Sequence, residues 1–395
     1  MGPIAPSIDT AARRARLSIR HDLARRVDSV ERATEDLVGL HSSDPVTVYL
    51  SLVARVDGFV PTDLEAALYE RKTLVRMLGM RRTMFVVPVD LAAIMDEACT
   101  KAIAGRERRR LVGWLGNQGV AERPEPWLDD VCERTLQALR ARGEAAAVEL
   151  TKDVPELATK LDFGANRKWG GQVGLSTRVL VLLAAEGRIV RTRPRGSWIS
   201  GQYRWAELGT WLGGPLPAID HDRACAELLG RWLRTFGPGT TTDIRWWTGW
   251  TLKQTKASLD TVGAVEVPLD DGAAGWVLPD DLERAGRRTR WVRLTPGLDA
   301  TIMGWKERDA FLGPHVRHLF DTNGNAGPMI WADGRVVGGW SQTPGGRVVP
   351  HLLEDVDART RTLLDAEVAR LETWFGDVRF VTRFRTPLER ELRGV

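Results

Sequence analysis

Residues 39–45 read Gly-Leu-His-Ser-Ser-Asp-Pro, a polar turn set between two stretches of helical periodicity. Asp44 is a preferred N-cap residue and Pro45 suits the first position of a helix, so the turn predicts a helix that runs on to Val56. The stretch before it, residues 8–40, has apolar side chains at helical spacing and is also expected to be helical. The turn therefore places a histidine, two hydroxyls and a carboxylate at the start of a helix, where they can be held rigidly.

The next elements complete the outline of a winged helix-turn-helix. Another helix is predicted from Pro61, and Met84–Pro88 is a short β run. The outline recurs further along the chain, where an apolar helix over Arg178–Glu186 precedes two predicted strands. These strands, Ile189–Arg191 and Trp198–Tyr203, form a hairpin whose tip is basic, as in the wing of such a unit.

The remaining part of the chain changes from helical to β character. A third helical unit begins near His221, and from about residue 265 short β runs alternate with Gly, Pro and Asp. Asp333-Gly334 lies between two apolar runs and is a strong hairpin signal. A helix over residues 354–375 and a final strand over Val378–Phe384 are expected to follow.

The predicted fold class is therefore α+β, with three tandem winged helix-turn-helix units followed by a small antiparallel β-barrel. The expected domains are a first winged helix over 8–120, a second over 121–215, a third over 216–262, and a β-barrel with a C-terminal helix over 263–395.

Composition gives a hint about partners. The chain has 395 residues and a formal net charge of +4, but only eight of its 56 basic residues are lysine. Arginine binds phosphate bidentately and suits nucleic-acid recognition, whereas a GC-rich genome also favours arginine codons. Composition alone leaves both explanations open.

Other functional classes find no support in the sequence. The three cysteines are far apart, and the six histidines form no zinc-type spacing, so neither a metal nor a cofactor is expected. No signal-peptide core and no run of 18 apolar residues is present, which predicts a cytoplasmic, nucleoid-associated protein without a membrane partner. A clear dimerisation segment is also missing, which favours a monomer.

Four motifs carry a family resemblance. They are Gly39–Pro45 with Tyr49–Arg55 downstream, Arg81–Pro88, Phe236-Gly237-Pro238, and Asp333–Gly338. Over roughly residues 10–385 the chain resembles the bacterial winged-helix DNA-binding family that includes the AlkZ-like DNA glycosylases. The resemblance implies three winged helices and a barrel around a basic channel for double-stranded DNA. It also implies removal of bulky alkylated bases, including interstrand crosslinks, without a metal or cofactor.

The catalytic turn departs from the family pattern. In the characterised glycosylases that the chain resembles, this turn reads Gln-x-Gln or Gln-x-Asp, and the matching positions here are His41 and Ser43. Asp44 matches a helix-capping Asp of the family. The resemblance therefore implies the fold and DNA binding more directly than it implies catalysis.

The turn still offers groups for the chemistry. An N3- or N7-alkylated purine is already cationic, so an enzyme need only hold a water and stabilise an oxocarbenium-like transition state. Neutral His41 could accept a proton from that water and Ser43 could position it, which makes His41, Ser43 and Asp44 the candidate catalytic residues. The alternatives are a His41 that bonds a backbone carbonyl, ordinary turn serines, and an Asp44 that only caps the helix.

Basic clusters near the predicted wings and helices are the candidate DNA contacts, although each cluster alone is commonly a solvated face. Trp198 is a candidate wedge at a lesion, with core packing as its alternative. The candidate DNA-binding residues are Arg81, Arg82, Arg109, Arg110, Arg191, Arg193, Arg195 and Trp198.

Three functions fit these observations. The first is a glycosylase for alkylated purines, and the second is a noncatalytic DNA-binding or regulatory protein on the same scaffold. The third is another enzyme, or a small-molecule binder, that uses the concave cleft.

Overall fold

The computed structural model describes residues 7–164, 170–283 and 290–394. The helices are α1 (Thr10–Arg20), α2 (Val30–Asp36), α3 (Pro45–Arg55), α4 (Pro61–Glu65), α5 (Val89–Met95), α6 (Lys101–Asn117), α7 (Pro124–Arg142), α8 (Ala147–Asp153), α9 (Leu175–Ala185), α10 (Leu208–Leu212), α11 (His221–Phe236), α12 (Thr241–Thr248), α13 (Leu252–Thr261), α14 (Asp309–Leu312), α15 (Val316–Leu319), α16 (Ala358–Phe375) and α17 (Pro387–Arg393). The strands are β1 (Leu40–His41), β2 (Leu74–Leu78), β3 (Met84–Pro88), β4 (Lys160–Phe163), β5 (Gly171–Gly174), β6 (Ile189–Pro194), β7 (Tyr203–Glu207), β8 (Val265–Pro268), β9 (Ala274–Val277), β10 (Val292–Thr295), β11 (Met329–Ala332), β12 (Arg335–Gln342) and β13 (Val348–Leu352).

The helix predicted over residues 8–40 is wrong as a single element, because the structure breaks it into α1 and α2. Asp22 takes a left-handed backbone conformation with a φ of 56°, which ends α1. Ser29 then starts α2 by accepting a hydrogen bond from the Arg32 amide. The apolar periodicity continued across the break and hid it.

The first sheet holds the polar turn in place. Its strand order is β1-β3-β2, and β1 pairs antiparallel with β3, so that His41 lies opposite Phe85. Helix α3 starts directly after the turn, as predicted, with Asp44 as its N-cap. The connection between β2 and β3 is tight, since Arg81 and Arg82 both have positive φ values. These two arginines therefore sit at the tip of a constrained hairpin.

The second predicted hairpin is present, but its second strand begins later than expected. Strand β6 pairs with β7, which starts at Tyr203, so the strand predicted over Trp198–Tyr203 is wrong. Trp198 lies in the loop between them and is buried against Tyr49, with a ring-centroid distance of 4.8 Å. The predicted alternative of core packing describes its position.

The C-terminal strands form an open sheet. Its order is β10-β11-β12-β13, and within the described residues β10 and β13 pair with no further strand, so the expected closed barrel is wrong there. The Asp333-Gly334 turn joins β11 to β12, as predicted. Residues 378–384 form no strand; the Phe380 amide bonds instead to the Gln342 side chain.

Nothing in the described helices is long and apolar enough to cross a membrane. The described residues also contain no group of three His, Cys, Asp or Glu side chains placed to hold a metal ion. The division into winged-helix units at residues 120, 215 and 262 stays a prediction.

Candidate active site at the His-Ser-Ser turn

His41 is buried at the end of β1, and its side chain is only 6% exposed. Its ring meets the Phe85 ring edge-on, with a centroid distance of 5.5 Å. The Ser43 amide donates a 3.4 Å hydrogen bond to Nδ1. Among the described residues no group bonds to Nε2. One ring nitrogen is thus engaged by the turn itself, while the other is available to a ligand.

The protonation state of His41 follows from its surroundings. Burial, and then the Arg81 guanidinium, lowers the pKa of His41 to about 4, so the ring is neutral at neutral pH. Because Nδ1 accepts a hydrogen bond, the single proton of the neutral ring belongs on Nε2. His41 therefore presents an N–H donor and no free acceptor.

A small cavity adjoins this ring. It has a volume of about 50 Å³, and its polar lining includes His41, Arg81, Thr83 and Asn325. A buried water needs polar partners and only a few tens of cubic ångströms, so the cavity suits water. A nucleobase does not fit in it. We call this space the His41 cavity.

Ser42 is tied to a buried arginine. Its hydroxyl accepts a 2.8 Å hydrogen bond from Nε of Arg76, a residue that is 2% exposed. Arg76 also donates to the Tyr69 hydroxyl at 3.1 Å and lies 4.6 Å from the centre of the Tyr203 ring. No carboxylate in the described part of the chain pairs with it. A positive charge is thus buried behind the turn without a counter-ion.

Ser43 and Asp44 are occupied by structural hydrogen bonds. The Ser43 hydroxyl accepts from the Met84 amide at 3.2 Å. The Asp44 carboxylate caps α3 by accepting from the Val46 amide at 3.2 Å, and it accepts from the Arg383 amide at 2.7 Å. Burial nevertheless raises the pKa of Asp44. Asp44 therefore caps α3, and a catalytic role for it stays a prediction.

A larger cleft opens on the Ser43 side of the turn. Its volume is about 450 Å³, within the range of sites that hold small organic ligands, and Ser43, Arg191, Tyr203 and Arg383 contribute to its lining. Arg191 lies 5.3 Å from the Tyr203 ring centre and 5.1 Å from that of Trp205. We call this space the Ser43 cleft.

The charge of Arg191 is not balanced locally. Its Nε is buried without a hydrogen-bond partner, and no described carboxylate pairs with its guanidinium. Burial, with the nearby Arg76 charge adding to it, lowers the pKa of Arg191 to about 10 although Tyr203 opposes the shift. The residue stays charged at neutral pH and faces the Ser43 cleft.

A family model described as DNA glycosylase AlkZ-like matches residues 34–374, well over half of the chain. The chain belongs to the AlkZ-like DNA glycosylase family. Among solved structures it is similar to the Streptomyces sahachiroi DNA glycosylase AlkZ, with a TM-score of 0.72, 19% identity, and coverage of 93% of this chain and 98% of the other. At that identity the likeness concerns the fold. No curated protein matches the chain.

In this AlkZ-like chain, five of the seven predicted DNA-binding arginines divide into two groups. Three are exposed and paired with carboxylates: Arg82 with Glu107 at 2.8 Å, Arg195 with Glu149 at 2.9 Å, and Arg193 with Glu65. Arg191 and Arg81 have no carboxylate partner in the described structure. The Arg81 guanidinium carbon lies 3.8 Å from the centre of the Trp246 ring. The second group borders the turn.

The two arginines predicted on α6 lie apart from this arrangement. Arg109 and Arg110 are exposed and line neither the His41 cavity nor the Ser43 cleft. Arg110 lies 4.6 Å from the centre of the Trp114 ring. Their DNA contact stays a prediction.

The sequence analysis missed two residues of the candidate site, Arg76 and Arg383. Arg76 is a lone charge in the otherwise apolar strand Leu74–Leu78, and that was a usable signal. The Arg383 amide donates to the Asp44 carboxylate although the two residues are 339 positions apart, so no local sequence pattern indicates this contact.

Proposed function

We propose that this protein is a DNA-repair glycosylase that hydrolyses the N-glycosidic bond of cationic N3- or N7-alkylated purines in duplex DNA. Interstrand crosslinks joined through such purines belong to the same proposed substrate class. The observation that carries the proposal is the free Nε2–H of His41 on a water-sized cavity, beside a base-sized cleft, in a chain of the AlkZ-like family.

The proposed role of His41 is to place the attacking water. A cationic purine departs readily, so bond breaking can run ahead of nucleophilic attack. With Nδ1 engaged by the Ser43 amide, the Nε2–H donates a hydrogen bond to the water oxygen and leaves a lone pair for the sugar C1′. The bond between C1′ and the purine nitrogen breaks, the purine leaves as a neutral base, and the proton that the water loses on forming the C1′–O bond passes to solvent. This arrangement favours His41 as a hydrogen-bond donor to the water, and not as the proton acceptor expected from the sequence. Holding a reactant in line supplies catalysis by positioning alone.

The charges near the turn restrict the substrate. Arg76, Arg81 and Arg191 are positive and lack carboxylate partners among the described residues, while the Asp44 carboxylate is bonded to backbone amides. Positive charge opposes the growth of an oxocarbenium ion. The protein should therefore act where the leaving base itself carries a positive charge that is lost on departure, and not on neutral lesions.

The same arginines support DNA binding. Arginines around the Ser43 cleft that have no carboxylate partner among the described residues can pair with phosphates without first breaking an ion pair. Binding through phosphates releases counterions and weakens steeply as salt is raised. We also propose that the protein works as a monomer in the cytoplasm, on the nucleoid.

The proposal is tested by incubating the protein with duplex DNA that carries one N7-methylguanine and measuring abasic sites. A duplex with hypoxanthine, a neutral lesion, is the control. We expect abasic sites in the first duplex only, and a loss of about 10²- to 10⁴-fold in His41→Ala, the range for a positioned catalytic group. Ser43→Ala should change the rate little, because its hydroxyl holds the Met84 amide. Unchanged excision by His41→Ala would reject the assigned role.

A second candidate is noncatalytic DNA binding. The observation that favours it is that Ser43 and Asp44 each accept a hydrogen bond from a backbone amide in a positive environment, which gives both side chains a structural role. Tight, salt-sensitive binding to the N7-methylguanine duplex without abasic product would support this candidate against the first.

A further inference from the structure

A second cleft lies apart from the His-Ser-Ser turn, between the end of α1, helix α2 and helix α11. Its volume is about 750 Å³, and it shares no lining residue with the His41 cavity or the Ser43 cleft. We call it the Asp22 cleft, after the residue that makes it unusual. Nothing in the proposed glycosylase activity uses it.

The charged side chains of the Asp22 cleft are balanced with one exception. Each of the others has an ion-pair partner: Arg20 with Asp281 at 2.5 Å, Arg32 with Asp36 at 3.4 Å, Arg231 with Glu35 at 3.4 Å, Glu227 with Arg223 at 2.7 Å, and Arg234 with Asp280 at 3.1 Å. Within the described residues Asp22 has no such partner. Ionised Asp22 is therefore a negative charge without a partner, and a positively charged ligand would balance it.

One oxygen of the Asp22 carboxylate also lacks a hydrogen-bond partner among the described residues. Asp22 is only 6% exposed although it lines the cleft, and its Oδ2 is buried without a partner in the described structure. A buried carboxylate oxygen without a donor is costly and asks for an explanation. Its backbone is in the left-handed region, where Asn would be as well tolerated as Asp. Local conformation thus gives no reason for a carboxylate here.

The surroundings of Asp22 define what would fit. Asp36 supplies a second carboxylate to the same cleft, and a side-chain hydrogen bond joins the two acids when Asp22 is protonated. Ile19 and Leu278 supply apolar wall, and Ile19 is 53% exposed. Two carboxylates are fewer than the oxygen ligands that Ca²⁺ or Mg²⁺ takes, and the arginines are already paired, which disfavours an anion.

We propose that the Asp22 cleft binds a small organic cation, an ammonium or guanidinium group on an apolar body, whose charged nitrogen donates hydrogen bonds to Asp22 and Asp36. The apolar body would cover Ile19. Such a nitrogen supplies a donor to the Asp22 carboxylate and the positive charge that the cleft lacks.

Isothermal titration calorimetry of the full chain with 4-phenylbutylamine at pH 8 tests the proposal. The N-acetylated form of the same amine is the neutral control, and MgCl₂ is the metal control. We expect the amine to bind about 10- to 100-fold more tightly than its acetylated form, since the difference is a charge-assisted hydrogen bond. Binding of Mg²⁺ that displaces the amine, or equal binding of the neutral form, would overturn the proposal.

Two variants localise the effect. Asp22→Asn should abolish the preference for the amine, whereas Glu227→Gln, which removes a paired carboxylate of the same cleft, should leave it unchanged. Asparagine tolerates the left-handed backbone, so the first variant is expected to fold. Amine binding by Asp22→Asn at the affinity of the unmodified protein would contradict the assignment.

The pH dependence gives an independent readout. Burial, the Asp36 charge and the hydrogen bond with Asp36 raise the pKa of Asp22 to about 7, against opposing effects of Arg55 and Arg32. The amine needs the ionised carboxylate, so its affinity should rise about tenfold from pH 6 to pH 8. Asp36→Asn removes the neighbouring charge and should shift this rise to lower pH. A pH-independent affinity in the unmodified protein would count against Asp22 as the ligand.

Discussion

His21 and His41 are both buried, and burial lowers the pKa of both, to about 3 for His21 and to about 4 for His41. The two rings differ in their partners. His21 has Nδ1 at 2.9 Å from the Thr301 hydroxyl and Nε2 at 3.2 Å from the Thr235 carbonyl, so both nitrogens are bonded. His41 has one weak bond at Nδ1 and none at Nε2 in the described structure.

The nearby arginines differ in the same way. Beside His21, Arg55 is fully buried and forms a 2.6 Å ion pair with the equally buried Asp299. Beside the His-Ser-Ser turn, Arg76 is buried with neutral partners. Burial and a lowered pKa therefore do not separate His21 from His41, the residue proposed to be functional, whereas an unbonded ring nitrogen beside a cavity does.

The largest expected effect is on the free energy of unfolding, at the buried ion pair of Arg55 and Asp299. Asp299→Ala leaves the Arg55 charge buried without a partner and should lower the free energy of unfolding by about 3–5 kcal/mol. Urea unfolding measures this. Asp280→Ala, which breaks the exposed pair with Arg234, is the matched control and should cost less than about 1 kcal/mol. Equal losses in the two variants would remove the contrast.

The pH dependence of stability tests the burial of both rings. A histidine in the unfolded chain takes up its proton near pH 6.5, whereas in the folded protein His41 does so near pH 4 and His21 near pH 3. Between pH 6.5 and these lower values the unfolded state therefore binds more protons than the folded state. Stability present above pH 6.5 should be lost as pH falls towards 4, on the order of 3 kcal/mol for each ring. Urea titrations from pH 4 to pH 7 measure the loss.

Asp22 affects this measurement in the opposite sense. Its folded pKa is raised, so its contribution to stability falls as pH rises towards 7. Burial also raises the pKa of Asp96 to about 6, so the titrations are best made in a background with both Asp22→Asn and Asp96→Asn, where His41→Gln should reduce the remaining pH dependence. A flat profile in that background would show that the rings take up protons in the folded state.

A smaller effect is expected for DNA affinity. Arg191→Ala removes a charge without a carboxylate partner and should weaken DNA binding about tenfold, with a salt dependence reduced by about one ion. Arg193→Ala removes a charge already paired with Glu65 and should have little effect. Fluorescence anisotropy at several salt concentrations measures both. A greater loss in Arg193→Ala would reverse the assignment.

Local features of the sequence predicted local structure well. The Asp44-Pro45 helix start and the Asp333-Gly334 hairpin follow from backbone preferences of single residues, and both are present. The break after His21 was missed, because the apolar pattern of α1 and α2 continues across it. The β runs were found, but whether a sheet closes depends on pairing between distant edges.

The site was predictable only in part. His41 stood out because the turn concentrates polar residues, but its free nitrogen depends on a contact within the folded turn. A cluster of arginines in the sequence does not show which of its members lack a carboxylate partner in the folded protein. Arg191 and Arg193 are two positions apart and look alike in sequence, yet only Arg193 meets a carboxylate, on a distant helix.

Comparison of His41→Gln with His41→Asn in the excision of N7-methylguanine tests the central claim most directly. A Gln amide can present an N–H near the position of Nε2, whereas an Asn amide reaches only the position of Nδ1. If His41 acts as a neutral donor, His41→Gln keeps excision within about tenfold of the unmodified protein and His41→Asn loses about 10²-fold or more. Equal rates in the two variants, or loss in both, would contradict the account.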